Sequence, residues 1–144
     1  EDLGRYGRKN GKGFYDYDVK PKVIWPGLAE LAPVKIDDST PEMVADQKRR
    51  LLFRQAVEVA RCWQEGVIDD PREADVGAIL AWGFAPWTGG PITYIDQYGL
   101  KAFVDQADKY AAQYGDRFSP PQLLRDMAAK GETFYGRFAG KKAA

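Results

Sequence analysis

The rhythm of apolar and polar positions changes once along this chain, near residue 40. From Glu1 to Ser39 no 3.6-residue apolar period persists, and glycine, proline and charge recur densely, which predicts an extended, turn-rich segment. Phe14, Tyr15, Tyr17, Val23, Ile24, Trp25 and Leu28 give it more anchoring surface than a polar linker carries, so it is expected to lie along a partner surface. From Thr40 the punctuation turns helical. Thr40-Pro41 is a start signal, because a proline at the first helical position lacks only an N–H that would have been unpaired there. Leu52, Ala56, Val59 and Trp63 then recur at the spacing of one helix face, with Phe53, Val57 and Ala60 beside them, until Gly66 stops the run. A helix of that span is on the order of 37 Å long, which marks it as the central element.

Four more starts and glycine stops follow. Asp70-Pro71-Arg72-Glu73 reads as a cap, a first-position proline and a capping-box acid, after which Ile79 and Leu80 are expected to face inward until Gly83. Gly89-Gly90-Pro91 opens a short helix carrying Ile92, Ile95 and Tyr98 to Gly99. Leu100, Phe103, Val104, Ala107, Tyr110, Ala111 and Tyr114 form the next, stopped by Gly115. Ser119-Pro120-Pro121-Gln122 is a further capping box, with Leu123, Leu124, Met127 and Ala128 running to Gly131. With no sustained period-two run between them, these elements predict an all-α domain, a bundle of about five helices over residues 40–144, preceded by the extended segment 1–39. Leu52, Phe53, Ile79, Leu80, Ile95, Phe103 and Leu124 are its expected core. One internal echo joins the two parts: Gly11-Lys12-Gly13-Phe14-Tyr15 and Gly131-Glu132-Thr133-Phe134-Tyr135 share G-x-x-F-Y. The second copy directly follows a helix, so its aromatic pair can fold back onto the bundle. If the first does the same, a helical repeat lies upstream of Glu1.

Composition narrows the chemistry. The 144 residues suffice for one ordinary domain and a tail, and 21 basic against 21 acidic side chains leave no net charge for a general grip on nucleic acid or acidic membrane. The absence of histidine removes Ser-His-Asp and Cys-His arrangements, a histidine base and most zinc sites. The single Cys62 removes intrachain disulfides and thiolate clusters, and its apolar flanks favour an inert thiol. No apolar run at the start suggests a signal sequence or membrane span, and a chain opening on Glu1 reads as an internal or C-terminal piece of something longer, in a cytoplasmic setting.

Four stretches invite a functional reading. Arg5, Arg8, Lys9 and Lys12, interleaved with Tyr6, Phe14 and Tyr15, could form a stacking and phosphate-neutralising strip, although a solvated turn explains them more economically. Gly7 to Gly13 fails as a phosphate loop, since Gly7 and Gly11 are three residues apart and Lys12 precedes Gly13, and no strand or third glycine supports a dinucleotide fingerprint. Asp69, Asp70, Glu73 and Asp75 form the densest carboxylate cluster, a candidate metal or acid/base site; helix capping and the macrodipole explain Asp70 and Glu73 without chemistry, and the structural reading is preferred. Phe84-Ala85-Pro86-Trp87-Thr88-Gly89-Gly90-Pro91 could present helix N-terminal donors to a phosphate or carboxylate; the competing reading has Phe84 and Trp87 plugging the bundle while the glycines permit a tight turn.

Taken together, Gly7–Tyr17 (GRKNGKGFYDY), Glu65–Asp75 (EGVIDDPREAD), Trp82–Pro91 (WGFAPWTGGP) with Tyr94-Ile95-Asp96, and Gly131–Tyr135 (GETFY) resemble the C-terminal helical region of the 3-hydroxyacyl-CoA dehydrogenase family, in particular the α subunits of multifunctional fatty oxidation complexes. That resemblance implies a helical fold like the C-terminal domain of 6-phosphogluconate dehydrogenase, with residues 1–39 as the tail of a first helical repeat plus linker and 40–144 as the second repeat. It implies a parent enzyme of fatty-acid β-oxidation that oxidises L-3-hydroxyacyl-CoA with NAD and carries an enoyl-CoA hydratase/isomerase part. Its partners would be the upstream NAD-binding and first helical domains, a thiolase subunit and the acyl-CoA substrate. The family's general-base histidine and its glutamate have no counterpart here, and Asn10 is not the family's active-site asparagine. No catalytic, cofactor-binding or metal residue is therefore expected in this chain, and no cofactor. Ala85 departs from the family's Gly-Phe-Pro run and widens that loop. The alternative is a free-standing helical CoA-binding or protein-interaction module using Arg5–Lys12 or Gly89–Pro91. Aromatics left without their neighbour would also favour self-association.

Overall fold

The protein is described here by a computed structural model covering residues 3–33 and 39–138. The chain falls into two compact units, residues 1–40 and 41–144. In the first, a 3-10 turn at Arg8–Asn10 leads to β1 (Tyr15–Asp16), which pairs antiparallel with β2 (Val23–Ile24), Tyr15 opposite Ile24 and Asp16 opposite Val23. A single helical turn, α1 (Leu28–Leu31), follows. The sequence pattern predicts this segment as extended and turn-rich, without the short ladder or the helical turn, because two-residue strands are too short to show a period. Gly11 sits at φ +72°, and a Cβ there would lie 2.3 Å from the Asp18 carboxylate, so the turn depends on glycine.

The second unit is the all-α bundle. Its helices are α2 (Pro41–Gln64), α3 (Pro71–Trp82), α4 (Pro91–Tyr98), α5 (Leu100–Tyr114), α6 (Gln122–Lys130) and α7 (Phe134–Phe138). Helix α2 packs on α4, α5 and α6, while α4 also touches α3, α5 and α7. Phe53, fully buried at the middle of α2, is the centre of an aromatic cluster. The Phe103 ring stacks on it at 4.2 Å, and Tyr94, Tyr98 and Tyr110 meet it edge-on at 5.0 to 5.9 Å. Ile92, Ile95, Ala107, Leu124, Met127 and Phe134 complete the core.

The structure corrects three sequence expectations. Leu80 is 80% exposed and Ile79 and Leu52 are only half buried, whereas α3 turns Ala74, Asp75 and Ala78 inward. Small side chains let α3 approach α4 and α7 closely, so its large apolar residues are left on the outer face. Trp87 does not join Phe84 as a plug: Phe84 is buried, Trp87 is 83% exposed. Ser119 does not cap α6, which begins at Gln122; the Leu123 N–H is instead met by the Gln64 side chain at the end of α2, 2.8 Å away.

Candidate functional site

Asp70 caps α3 as the sequence reading expects. Asp70 accepts the Arg72 N–H at 2.8 Å and pairs with the Arg72 guanidinium, and these bonds, the side-chain one foremost, bring its carboxyl down to about 2 from 3.8. One turn on, Asp75 is different. It is 3% exposed and reaches across to the N-terminus of α4, where Oδ1 accepts the Ile92 N–H at 2.7 Å and Oδ2 the Thr93 hydroxyl at 2.5 Å. The Thr93 N–H lies between both oxygens, at 3.2 and 3.1 Å, and Tyr135 of α7 donates its hydroxyl to Oδ2 at 2.9 Å.

The glycine-rich helix start therefore does present donors to a carboxylate, and the carboxylate is the protein's own. Gly90 is what lets Asp75 in: at φ +116° a Cβ would lie 2.4 Å from Asp75 Cβ. Asp96, in the last turn of α4, repeats the device by accepting the Phe134 and Tyr135 N–H groups at 2.9 and 3.0 Å, which caps α7. Burial raises the Asp96 carboxyl, while those two N–H bonds work to lower it. Burial, then the bond to Asp75, likewise raises the Tyr135 phenol. Helices α3, α4 and α7 are thus closed into a ring by two buried or half-buried carboxylates. In the loop before α4 the Ala85 carbonyl accepts both the Thr88 N–H and its hydroxyl, closing a 3-10 turn at Pro86–Thr88.

The two arginines of the basic strip are engaged within the first unit. Arg5 donates through Nε to the Gly13 carbonyl at 2.8 Å, pairs with Asp16, and lies 4.2 Å over the Trp25 ring. Arg8 lies over Tyr17, and Asn10 ties the turn by accepting the Tyr6 N–H and donating to the Gly4 carbonyl. Cys62 is a half-buried free thiol on α2. Among the described residues no group of three or more Cys, Asp or Glu is placed to hold a metal ion, and no helix is long and apolar enough to cross a membrane. The two copies of G-x-x-F-Y adopt different backbones: Tyr15 lies in a strand and Phe14 is 72% exposed, whereas Phe134 is fully buried in α7 against Trp63. Sequence reasoning missed the partners of Asp75 and Asp96. The only available signal was an acid on the inward face of a helix beside a Gly-Gly-Pro start.

No protein-family model matches the chain. It is 40% identical over 132 residues to the fatty acid oxidation complex subunit alpha of Vibrio parahaemolyticus, a match covering 92% of this chain and 18% of that protein. It is 41% identical over 136 residues to the Shewanella loihica protein of the same name, covering 91% of the chain and 19% of the relative. The chain is a homologue of a segment of that α subunit. The chain spans about a fifth of the length of the curated relatives it matches. The motif resemblance to fatty acid oxidation α subunits is thereby borne out, the segment being a C-terminal domain of that protein.

Proposed function

We propose that this chain is the C-terminal, non-catalytic helical domain of a multifunctional β-oxidation enzyme whose whole polypeptide oxidises L-3-hydroxyacyl-CoA to 3-ketoacyl-CoA with NAD and carries a hydratase/isomerase part. Residues 40–144 are the second helical repeat and 1–39 the tail of the first. The observation that carries this reading is the fate of the α4 N-terminus, whose donors are taken up by Asp75 rather than held open. The glycine-rich α4 start does not fit an NAD pyrophosphate, because its donors are taken by a buried carboxylate. The cofactor is then assigned to a separate NAD-binding domain, and none of the described residues is given a catalytic, cofactor or metal role in this reading. Its work is support: a rigid bundle with Val76, Leu80, Trp82 and Trp87 exposed is suited to packing against the first helical domain and thereby shaping the acyl pocket. A thiolase subunit and a cytoplasmic setting accompany this reading.

The test uses the 144-residue chain beside the longer polypeptide that contains it. The chain alone is expected to show no NAD reduction with a 3-hydroxyacyl-CoA and to self-associate as concentration rises. The longer polypeptide should be active, and Leu80→Ser with Trp87→Ser in it should lower activity severalfold without unfolding this bundle. Hydroxyacyl-CoA-dependent NAD reduction by the 144 residues alone would overturn the proposal. The alternative, a CoA-binding module built on the basic strip, would instead show saturable CoA binding lost in Arg8→Gln with Lys12→Gln.

A further inference from the structure

Outside the capping network, one groove of the helical unit is lined by three arginines. It has a volume of about 450 Å³ and is lined by Gln47, Arg50, Leu51 and Arg54 of α2 and by Arg117 and Phe118 of the 3-10 turn Asp116–Phe118. Residues 47, 50, 51 and 54 share one helix face by their spacing. The three guanidiniums are unequally engaged. Arg54 uses Nη1 on Glu58 at 2.7 Å, leaving the rest of its fork. The Arg50 guanidinium lies 4.4 Å over the Tyr114 ring, and its Nε is paired with Asp46 at 3.0 Å. Arg117 is exposed and makes no ion pair among the described residues.

The two walls are also held in register before anything binds. Arg61, two turns along α2 from Arg54, donates through Nη2 to the carbonyls of Asp116 and Ser119 at 2.8 and 3.0 Å, pinning the turn that carries Arg117 onto α2. Three guanidiniums against the two carboxylates already paired with them leave about one net positive charge and several forked donors. Forked guanidinium donors suit a phosphate, which accepts bidentate bonds from them. Leu51, 66% exposed at the groove wall, offers apolar surface to whatever the phosphate carries.

We propose that this groove binds a small organic phosphate ester, its phosphate between Arg54 and Arg117 and its organic part along Leu51. The site is distinct from the Arg5–Lys12 strip and from the α4 start, and it does not depend on the support role argued above.

The experiment is a titration of the 144-residue chain with AMP, inorganic phosphate and adenosine, followed by amide chemical shifts. AMP should saturate, with shifts confined to residues 47–54 and 114–118, phosphate should bind severalfold more weakly, and adenosine should not bind. Arg117→Gln should weaken AMP about tenfold, as expected for loss of a charge-assisted bond. Arg54→Lys, which keeps the charge and loses the fork, should weaken it measurably while the spectrum elsewhere stays unchanged. Raising the salt should weaken binding as well. Absence of saturation by AMP, equal binding of adenosine, an unchanged affinity in Arg117→Gln, or binding of a poly-glutamate peptide in preference to AMP would each overturn the site. None of these outcomes bears on dehydrogenase activity, so failure here and failure of the support role are separable.

Discussion

Asp75 shows how much one residue can decide. In sequence it belongs to a carboxylate cluster whose members look alike, and local capping accounts for Asp70 and Glu73 while leaving Asp75 without a partner. That holds for Asp70, whereas Asp75 caps a different helix, seventeen residues on, and also receives the Tyr135 hydroxyl from α7. A buried carboxylate accepting from two backbone N–H groups and two hydroxyls leaves all of them unsatisfied when truncated. Asp75→Ala is therefore expected to destabilise the chain by about 3 kcal/mol or more, and Asp75→Asn, which keeps one acceptor, by roughly half as much. Urea unfolding followed by circular dichroism gives both numbers. Equal midpoints for wild type and Asp75→Ala would show that the network contributes nothing. The inward position of residue 75 was readable from helix spacing; the identity of its acceptor partners was not, because they are brought to it by the packing of α4 and α7.

Among the elements, the long helices were legible and the short ones were not. Helix α2 has an apolar stripe over many turns, and α5 and α6 have clear glycine stops at Gly115 and Gly131, so their existence follows from periodicity. Helix α7 has five residues, too few to sustain itself, and stands on the Asp96 cap and on Phe134 and Phe138 packing against Trp63. Asp96→Ala should therefore release α7 before the bundle melts. Hydrogen exchange at residues 134–138 should accelerate by about tenfold, while amides of α2 and α5 keep most of their protection. Uniform acceleration across the bundle would instead make α7 part of one cooperative unit. The failed Ser119 cap belongs at this scale too: a box pattern predicts a start, but Gln64 of a neighbouring helix was close enough to supply the acceptor first.

At the scale of the whole helical unit, burial of phenols sets its limit at high pH. Burial foremost, with the neighbouring Tyr98 phenol adding, raises Tyr94 from 10.0 to about 12; burial, then the hydrogen bond to Asp46, does the same for Tyr110. A phenol with a raised native value favours folding while it is protonated, and that contribution fades as pH climbs from 10 to about 12 because the unfolded chain ionises first. Tyrosinate absorbance should thus show a late phase that coincides with loss of helix, and Tyr94→Phe should shrink it. A titration finished near pH 10 with the helix intact would contradict this.

The pattern of apolar spacing, proline starts and glycine stops was enough to determine an all-α bundle after residue 40, because helix periodicity and capping are local physics written within a few residues. Combined motifs were also enough to point to the fatty acid oxidation α subunits. Tertiary structure alone decided which apolar residues are outside, why Leu80 and Trp87 lie on the surface, and which acid closes which helix. Those outcomes depend on how closely helix axes approach and on groups distant in the chain arriving at one point, and no local pattern carries that distance.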